Sequence, residues 1–95
     1  MKVTWSETAD EAVTRIARRL AEYSTSAATN WVRLIRDGVR EASRFPRSRR
    51  MIPELADDHF REVLAGDYRV WYRIFDAEDR IEVLVVFHGA MSVPE

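Results

Sequence analysis

The sequence predicts an α+β fold in which an N-terminal strand precedes an antiparallel helical hairpin packed on a mostly antiparallel four-stranded sheet. Apolar residues recur at helical spacing in the first half of the chain and alternate in the second half. The segments that separate the later strands are short, which permits only antiparallel neighbours. With 46% hydrophobic and 33% charged residues, residues 1–95 are expected to form a single domain around one core.

The first two elements are a short strand and a helix. Val3 and Trp5 share one face of the extended opening segment because side chains alternate along a strand. Thr8 and Glu11 fit a capping box, so a first helix is predicted over residues 8–23. Its apolar face is formed by residues at helical spacing, namely Ala9, Ala12, Val13, Ile16, Leu20 and Tyr23.

A second helix follows a turn of polar residues at 24–26, which are of the types that cap helices. Its amphipathic pattern extends from Ala28 to Phe45 and stops there because Pro46 disfavours helix in the residue before it. Gly38 within this helix indicates close packing of a neighbouring element. Two helices joined by so short a turn are expected to lie antiparallel as a hairpin.

The second half of the chain predicts strands. Residues 47–59 are polar and irregular, and strand-like runs follow at 60–65, 68–75 and 81–88. The purely apolar faces are expected to pack on the hairpin; they comprise Tyr68, Val70, Tyr72, Ile74, Ile81, Val83, Val85 and Phe87. The mixed faces are expected to form an open, partner-binding surface; they comprise Arg69, Trp71, Arg73, Phe75, Leu84, Val86 and His88.

Composition excludes several classes of protein. The chain has no cysteine, which excludes disulfides, thiolate metal sites and a cysteine nucleophile. His59 and His88 are too few to form an ordinary zinc site, and we expect neither a metal nor a cofactor. No stretch is long and apolar enough for a signal peptide or a membrane span, so a cytoplasmic location is expected.

Charge is distributed unevenly along the chain. Residues 33–50 contain seven arginines and two acids, whereas residues 51–95 contain four arginines and ten acids, and the whole chain has a net charge of −1. Arg36, Arg40 and Arg44 form a stripe on the solvated side of the second helix. Such a stripe is most often a solvated helix face, but it is also a candidate contact for a partner protein or a nucleic acid backbone.

An ordered set of short motifs resembles the RelE/ParE toxin superfamily over nearly the whole chain. The motifs are Val3-x-Trp5-Ser6, Phe45-Pro46, Pro53-Glu54, Arg61-Glu62, Gly66-x-Tyr68-Arg69-Val70-x-Tyr72-Arg73 and Val86-Phe87-His88. The members are toxins of bacterial type II toxin–antitoxin systems, often described as plasmid stabilisation proteins. The resemblance implies a helical hairpin on a mostly antiparallel four-stranded sheet, in agreement with the periodicity.

The superfamily has two functional branches. The RelE-like branch cuts messenger RNA in the ribosome, and the ParE-like branch has lost that activity and in many cases poisons DNA gyrase. A single lysine, an isoelectric point near 6.1 and a C-terminal end without a tyrosine or basic tail favour the ParE-like branch. The resemblance therefore implies a gyrase inhibitor held by a cognate antitoxin. A ribosome-dependent ribonuclease, or a degenerate toxin that only binds its antitoxin, remains an alternative.

The resemblance also implies candidate site residues. If the chain is RelE-like, Glu54 is the general base, Arg61 the phosphate-binding cation and His88 the general acid. Residues expected to contact the target or a nucleic acid are Arg69, Arg73 and Trp71, the last by stacking on a base. The antitoxin is expected to cross an apolar groove and the open sheet face; its contacts there are predicted to be Trp71, Phe75, Leu84 and Val86.

Overall fold

The computed structural model describes residues 1–91, in which two helices cover one face of a five-stranded sheet. Its elements are β1 (Lys2–Trp5), α1 (Glu7–Ala21), α2 (Thr25–Arg44), β2 (Arg50–Met51), β3 (Phe60–Ala65), β4 (Tyr68–Phe75) and β5 (Arg80–His88). The strand order is β1-β5-β4-β3-β2, with β1 parallel to β5 and every other pair antiparallel. None of the described helices is long and apolar enough to cross a membrane.

The α+β fold with a helical hairpin on a mostly antiparallel sheet is confirmed, but the predicted count of four strands is wrong. The additional strand is β2, which lies in the segment predicted to be irregular. It has only two residues, so it carries no alternation that a sequence pattern could reveal. The segment 92–95, part of the predicted C-terminal tail, lies outside the described residues.

The N-cap of helix α1 lies two residues before Thr8, the residue that the capping box predicts. Ser6 is its N-cap: the Ser6 hydroxyl accepts a hydrogen bond from the backbone N–H of Ala9 at 3.0 Å and donates one to the carbonyl of Leu84 at 2.8 Å. Thr8 therefore lies inside the first turn. At the other end, Tyr23 lies beyond the helix and is 86% exposed, so its predicted place on the buried face is wrong.

Helix α2 is capped by Ser24, whose hydroxyl accepts a hydrogen bond from Ala27 N at 3.1 Å, as the polar turn predicts. The helix ends at Arg44, before the Phe45-Pro46 pair. Gly38 faces β3, and a Cβ at this position would lie 2.9 Å from Cγ1 of Val63. The close packing predicted at Gly38 is therefore confirmed.

The main core lies between the hairpin and the sheet. Its buried members include Ile35 and Val39 from α2 and Val70, Tyr72 and Ile74 from β4. Tyr72 is fully buried, and burial raises the pKa of its hydroxyl to about 12. That hydroxyl donates a hydrogen bond of 2.5 Å to a backbone carbonyl just after α2, so the ring connects the centre of the sheet to the end of the hairpin.

A β-bulge in β5 interrupts the alternation of the sheet. Trp71 of β4 is opposite Val85, whereas its neighbour Tyr72 is opposite Val83. Leu84 is therefore an extra residue in β5 without a cross-strand partner in β4. Because the side-chain period of a strand is two, one extra residue exchanges the faces of all residues that follow it.

The bulge corrects four of the predicted side-chain orientations. Val85 and Phe87 were expected against the hairpin, but they lie on the opposite face, packed with Trp71. Val86 and His88 were expected on the open face, but they lie on the hairpin side. Val86 is only 3% exposed and belongs to the main core.

The contact between Gly38 and β3 predicts that the effect of Gly38→Ala on stability changes sign when the side chain of Val63 is shortened. In the wild-type background we expect Gly38→Ala to destabilise the protein by about 1 kcal/mol, because overpacking outweighs the gain in helix propensity. In a Val63→Ala background the clash is absent, and we expect the same change to stabilise the protein by up to about 1 kcal/mol. Urea unfolding of the four proteins measures both effects, and an equal effect in the two backgrounds would contradict the close packing.

Candidate functional site

Part of the open face of the sheet is covered by the chain itself. We call residues 52–59, which connect β2 to β3, the strap. Ile52 at its start has no exposed surface and packs against Trp71 and Phe87. Trp71 is consequently only 6% exposed, so its ring is not available to stack on a base.

A buried carboxylate lies on the covered part of the open face. Glu62 of β3 is 1% exposed. One of its oxygens, Oε1, accepts a hydrogen bond from the indole Nε1 of Trp71 at 2.9 Å and a second one from Nε of Arg69. The other oxygen, Oε2, is 2.6 Å from Nε of Arg50 but lacks hydrogen-bond geometry to it. Two guanidinium groups thus compensate a charge that would be costly to bury alone.

Arg69 connects this carboxylate to the strap. Its two terminal nitrogens each donate a hydrogen bond of 2.8 Å to Glu54, in a bidentate pair. The hydrogen bonds from Arg69 are the largest cause that lowers the pKa of Glu54, to about 2. The guanidinium carbon also lies 5.4 Å from the ring centroids of Trp71 and Phe87. Arg69 therefore holds the strap against the sheet by charge and by ring contact.

Arg61 anchors the chain around the strap from the other face of β3. Its guanidinium donates to the carbonyls of Arg47 and Arg49 at 3.0 and 2.9 Å. It also contacts the carboxylate of Asp58 at 2.5 Å and the carbonyl of Asp58 at 3.2 Å. Arg47 in turn binds Asp58 and Asp76, and these contacts lower the pKa of both carboxyls. Arg61 is buried, and its donors are used within the protein.

The structure does not bring the three residues of the ribonuclease prediction together. Glu54 binds Arg69 on the open face. Arg61 pairs in register with Tyr72 and His88 with Tyr68, so both belong to the opposite face. Those register positions are four residues apart along β4, or about 13 Å at the usual rise of a strand.

His88 has local contacts only. Its Nδ1 accepts a hydrogen bond from the backbone N–H of Ala90 at 3.0 Å. Its ring lies edge-on to Tyr68, with a centroid separation of 5.2 Å. Neither contact links the imidazole to Glu54 or Arg61.

The residues predicted to bind the antitoxin do not form one surface. Trp71 is under the strap, and Val86 is in the main core. Leu84 is half-buried at the bulge, and Phe75 is half-buried near the other end of the sheet. Arg73, predicted to contact the target, is exposed on the part of the open face that the strap leaves uncovered.

The structure contains a groove on the hairpin side whose position was not predicted from the sequence. This groove lies between β1, α1 and α2 and encloses about 310 Å³. It is lined by four apolar residues and three charged ones, namely Val3, Trp5, Val13, Val39, Asp10, Arg36 and Arg40. The shared face of Val3 and Trp5 and the arginine stripe of α2 are its signals in the sequence.

The groove adjoins a free edge of the sheet. Strand β1 is the terminal strand of the described sheet and pairs only with β5. Its outer backbone groups therefore remain available to another strand. Within residues 1–91, no cluster of histidine, cysteine or acidic side chains is arranged to hold a metal ion.

Several solved structures share this fold, including the following two. The first, "Chromosomal ParDE TA system from P. aeruginosa", superposes with a TM-score of 0.75 at 14% identity and covers 93% of this chain and 95% of that chain. The second, the toxin–antitoxin complex RelBE2 from Mycobacterium tuberculosis, has a TM-score of 0.56 at 24% identity, with coverages of 92% and 95%. The fold is thus one that occurs in toxin–antitoxin systems.

The sequence itself determines the family. The family model for the ParE toxin of the type II toxin–antitoxin system parDE matches residues 3–93. The chain therefore belongs to the ParE toxin family. A search of curated proteins finds no match.

The pair formed by Glu54 and Arg69 predicts a pH-dependent contribution to stability. The pKa of Glu54 in the folded protein is about 2, below the ordinary value of 4.5, so the pair contributes above pH 4.5 and is lost as the pH falls towards 2. We expect Glu54→Gln to lower stability at neutral pH and to reduce the loss of stability over that window. Urea unfolding at several pH values measures the difference.

The matched control for this experiment is Glu41→Gln, which removes an exposed carboxylate of α2 that has no ion-pair partner within residues 1–91. We expect the control to keep the wild-type pH dependence between pH 4.5 and 2. If the unfolding free energies of Glu54→Gln and the wild type changed with pH in parallel, the contribution of the Glu54–Arg69 pair would be contradicted.

Proposed function

We propose that this ParE-family toxin acts by binding and inhibiting DNA gyrase and that a cognate antitoxin neutralises it. The observation that carries the proposal is the separation of Glu54, Arg61 and His88 on two faces of the sheet. Cleavage of RNA by its own 2′-hydroxyl needs a base, a cation and an acid within reach of one phosphate. Family membership supports the ParE-like branch independently.

The hydrogen bonds that Glu54 and Arg61 form within the protein also favour binding over cleavage. Glu54 is held by both terminal nitrogens of Arg69, which keeps the carboxylate ionised but occupies both of its oxygens. Arg61 directs its nitrogens to carbonyls and to Asp58, so it has little capacity for a phosphate. A nuclease site would require these groups to be released from the strap first.

The groove has the chemistry expected for the antitoxin. Its apolar floor suits the apolar side chains of an amphipathic segment, and Arg36 and Arg40 at its border suit carboxylates. The free edge of β1 beside it could accept an added strand, which is a frequent mode of peptide recognition. Both structural neighbours come from toxin–antitoxin systems, which supports a partner of this kind.

The target is tested with the purified toxin in two parallel reactions. In the first, gyrase acts on relaxed plasmid in the presence of ATP; we expect loss of supercoiling or gyrase-linked DNA breaks. In the second, ribosomes translate a messenger RNA, which we expect to remain intact. Cleavage of that RNA at codon edges, abolished by His88→Ala, would overturn the proposal in favour of a ribonuclease. Absence of growth arrest on expression of the toxin alone would indicate a degenerate toxin.

The proposed antitoxin site is tested by reversing charge at the groove. We expect Arg36→Glu combined with Arg40→Glu to weaken binding of the cognate antitoxin by about tenfold or more, because like charges then oppose the bound carboxylates. Isothermal titration calorimetry measures the affinity, and we expect growth arrest by the variant to persist.

The matched control is Arg33→Glu combined with Arg44→Glu, which makes the same charge change on exposed positions of α2 that do not line the groove. We expect this control to retain nearly the wild-type affinity apart from a modest, salt-sensitive effect. If both double variants weakened antitoxin binding equally, the loss would be due to net charge, which would contradict a specific site in the groove.

A further inference from the structure

The half of the open face that the strap leaves uncovered carries alternating arginine and phenylalanine side chains. We call Phe60, Arg73, Phe75 and Arg80 the arginine–phenylalanine ladder. The guanidinium carbon of Arg73 lies 4.5 Å from the ring centroid of Phe75 and 5.7 Å from that of Phe60. The guanidinium carbon of Arg80 lies 3.9 Å from the centroid of Phe75. The four side chains therefore form one contiguous layer across β3, β4 and β5.

Arg73 differs from the other arginines in the strands β3 to β5 because it forms no ion pair within residues 1–91, although its charge contributes, after the contacts with His59, to the lowered pKa of Asp57 in the strap. Arg61 and Arg69 bind Asp58, Glu54 and Glu62 in the networks described above. Arg80 pairs with Glu78 at 3.2 Å and with Glu82 at 3.7 Å. Within residues 1–91, no carboxylate lies within ion-pair distance of Arg73.

The register of β4 and β5 shows where an ion pair of Arg73 would be expected. Glu82 is directly opposite Arg73 in the pairing of β4 with β5, where an ion pair across the strands would be expected. Instead, Glu82 pairs with Arg80, and Arg73 lies over Phe60 and Phe75. The guanidinium of Arg73 is thus exposed and lies over two rings, and its nitrogens have no hydrogen-bond acceptor among the described residues.

From this arrangement we infer that the ladder is the surface through which the toxin binds its target and that Arg73 receives a carboxylate of a target protein. The inference rests on the proposed function, in which that target is gyrase. A planar guanidinium held by aromatic rings loses little freedom on binding and presents a fork that matches a carboxylate. Arginine beside large aromatic side chains is also a typical centre of a protein interface.

The surroundings of Arg73 favour a protein over a nucleic acid. Binding to a phosphate backbone depends on several cations that act together. Here a single arginine has Glu82 opposite it in β5 and is within electrostatic range of Asp57 in the strap, and these carboxylates would repel a second phosphate. A single partner carboxylate with apolar groups that pack on Phe60 and Phe75 fits this surface better.

The ladder is separate from the groove proposed for the antitoxin. The groove contains Val3 and Trp5, which point to the hairpin side of β1. Thr4 between them points to the open face, where its hydroxyl accepts a hydrogen bond of 3.1 Å from Arg80. The two surfaces therefore lie on opposite faces of the sheet, and they can be altered independently.

The experiment compares Arg73→Gln and Arg73→Lys with a matched control, Arg33→Gln, which removes an exposed, uncompensated arginine from α2. Binding of each toxin to purified gyrase is measured by biolayer interferometry, and thermal unfolding verifies that each variant is folded. We expect Arg73→Gln to weaken binding by about tenfold or more and the control to have little effect. We expect Arg73→Lys to recover only a small part of the loss, because lysine lacks the planar fork.

The possible results distinguish this inference from the proposed function. If the wild-type toxin neither binds nor inhibits gyrase, both are overturned. If the wild-type toxin binds gyrase and folded Arg73→Gln binds equally well, only the ladder is overturned. The same applies if Arg73→Gln instead weakens binding of the toxin to plasmid DNA alone, which would assign the arginine to a nucleic acid, or if it weakens antitoxin binding while gyrase binding is unchanged.

Discussion

The extra residue in β5 determines which side chains reach each face of the sheet, and the remaining structure depends on it. Leu84 has no partner in β4, so the alternation of β5 is reversed after it. The carbonyl of Leu84 accepts a hydrogen bond from Ser6, the residue that also caps α1. The bulge is thereby tied to the start of the hairpin, and the register of β5 is coupled to the position of the helices on the sheet.

Reversal at the bulge gives the open face an apolar centre of its own. Val85 and Phe87 join Trp71 there, and Ile52 of the strap covers them. This small centre needs additional support, because a few apolar side chains contribute limited free energy. The support is ionic: Arg69 binds Glu54 of the strap and the buried Glu62, while Arg61 holds the chain on either side. The cation–carboxylate contacts of this region therefore stabilise the packing of the strap on the sheet.

Sequence patterns predict the elements whose signals are local and fail where the determinants are distant. The hairpin and four of the five described strands follow from spacing, and the close approach at Gly38 follows from an absent side chain. Alternation in β5 is interpreted correctly up to Val83 and incorrectly after it, because the bulge has no sequence signature. The strap is not predictable either, since Arg61 and Arg69 read as ordinary strand residues until their partners in residues 47–58 are known.

Whether a charged group is already paired within the protein also distinguishes an enzymatic surface from a binding surface in this chain. A catalytic carboxylate or guanidinium must be free to meet a substrate, whereas Glu54, Glu62, Arg61 and Arg69 are committed to one another and to the backbone. Among the charges without an ion pair in the described residues, two lie on the proposed binding surfaces: Arg36 at the groove, and Arg73 between two rings on the open face. Each adjoins apolar surface, the combination that recognises proteins. The ion pairs that hold the strap on the sheet are thus consistent with the proposed function, in which the protein binds two partners on two faces and does not cut a phosphodiester.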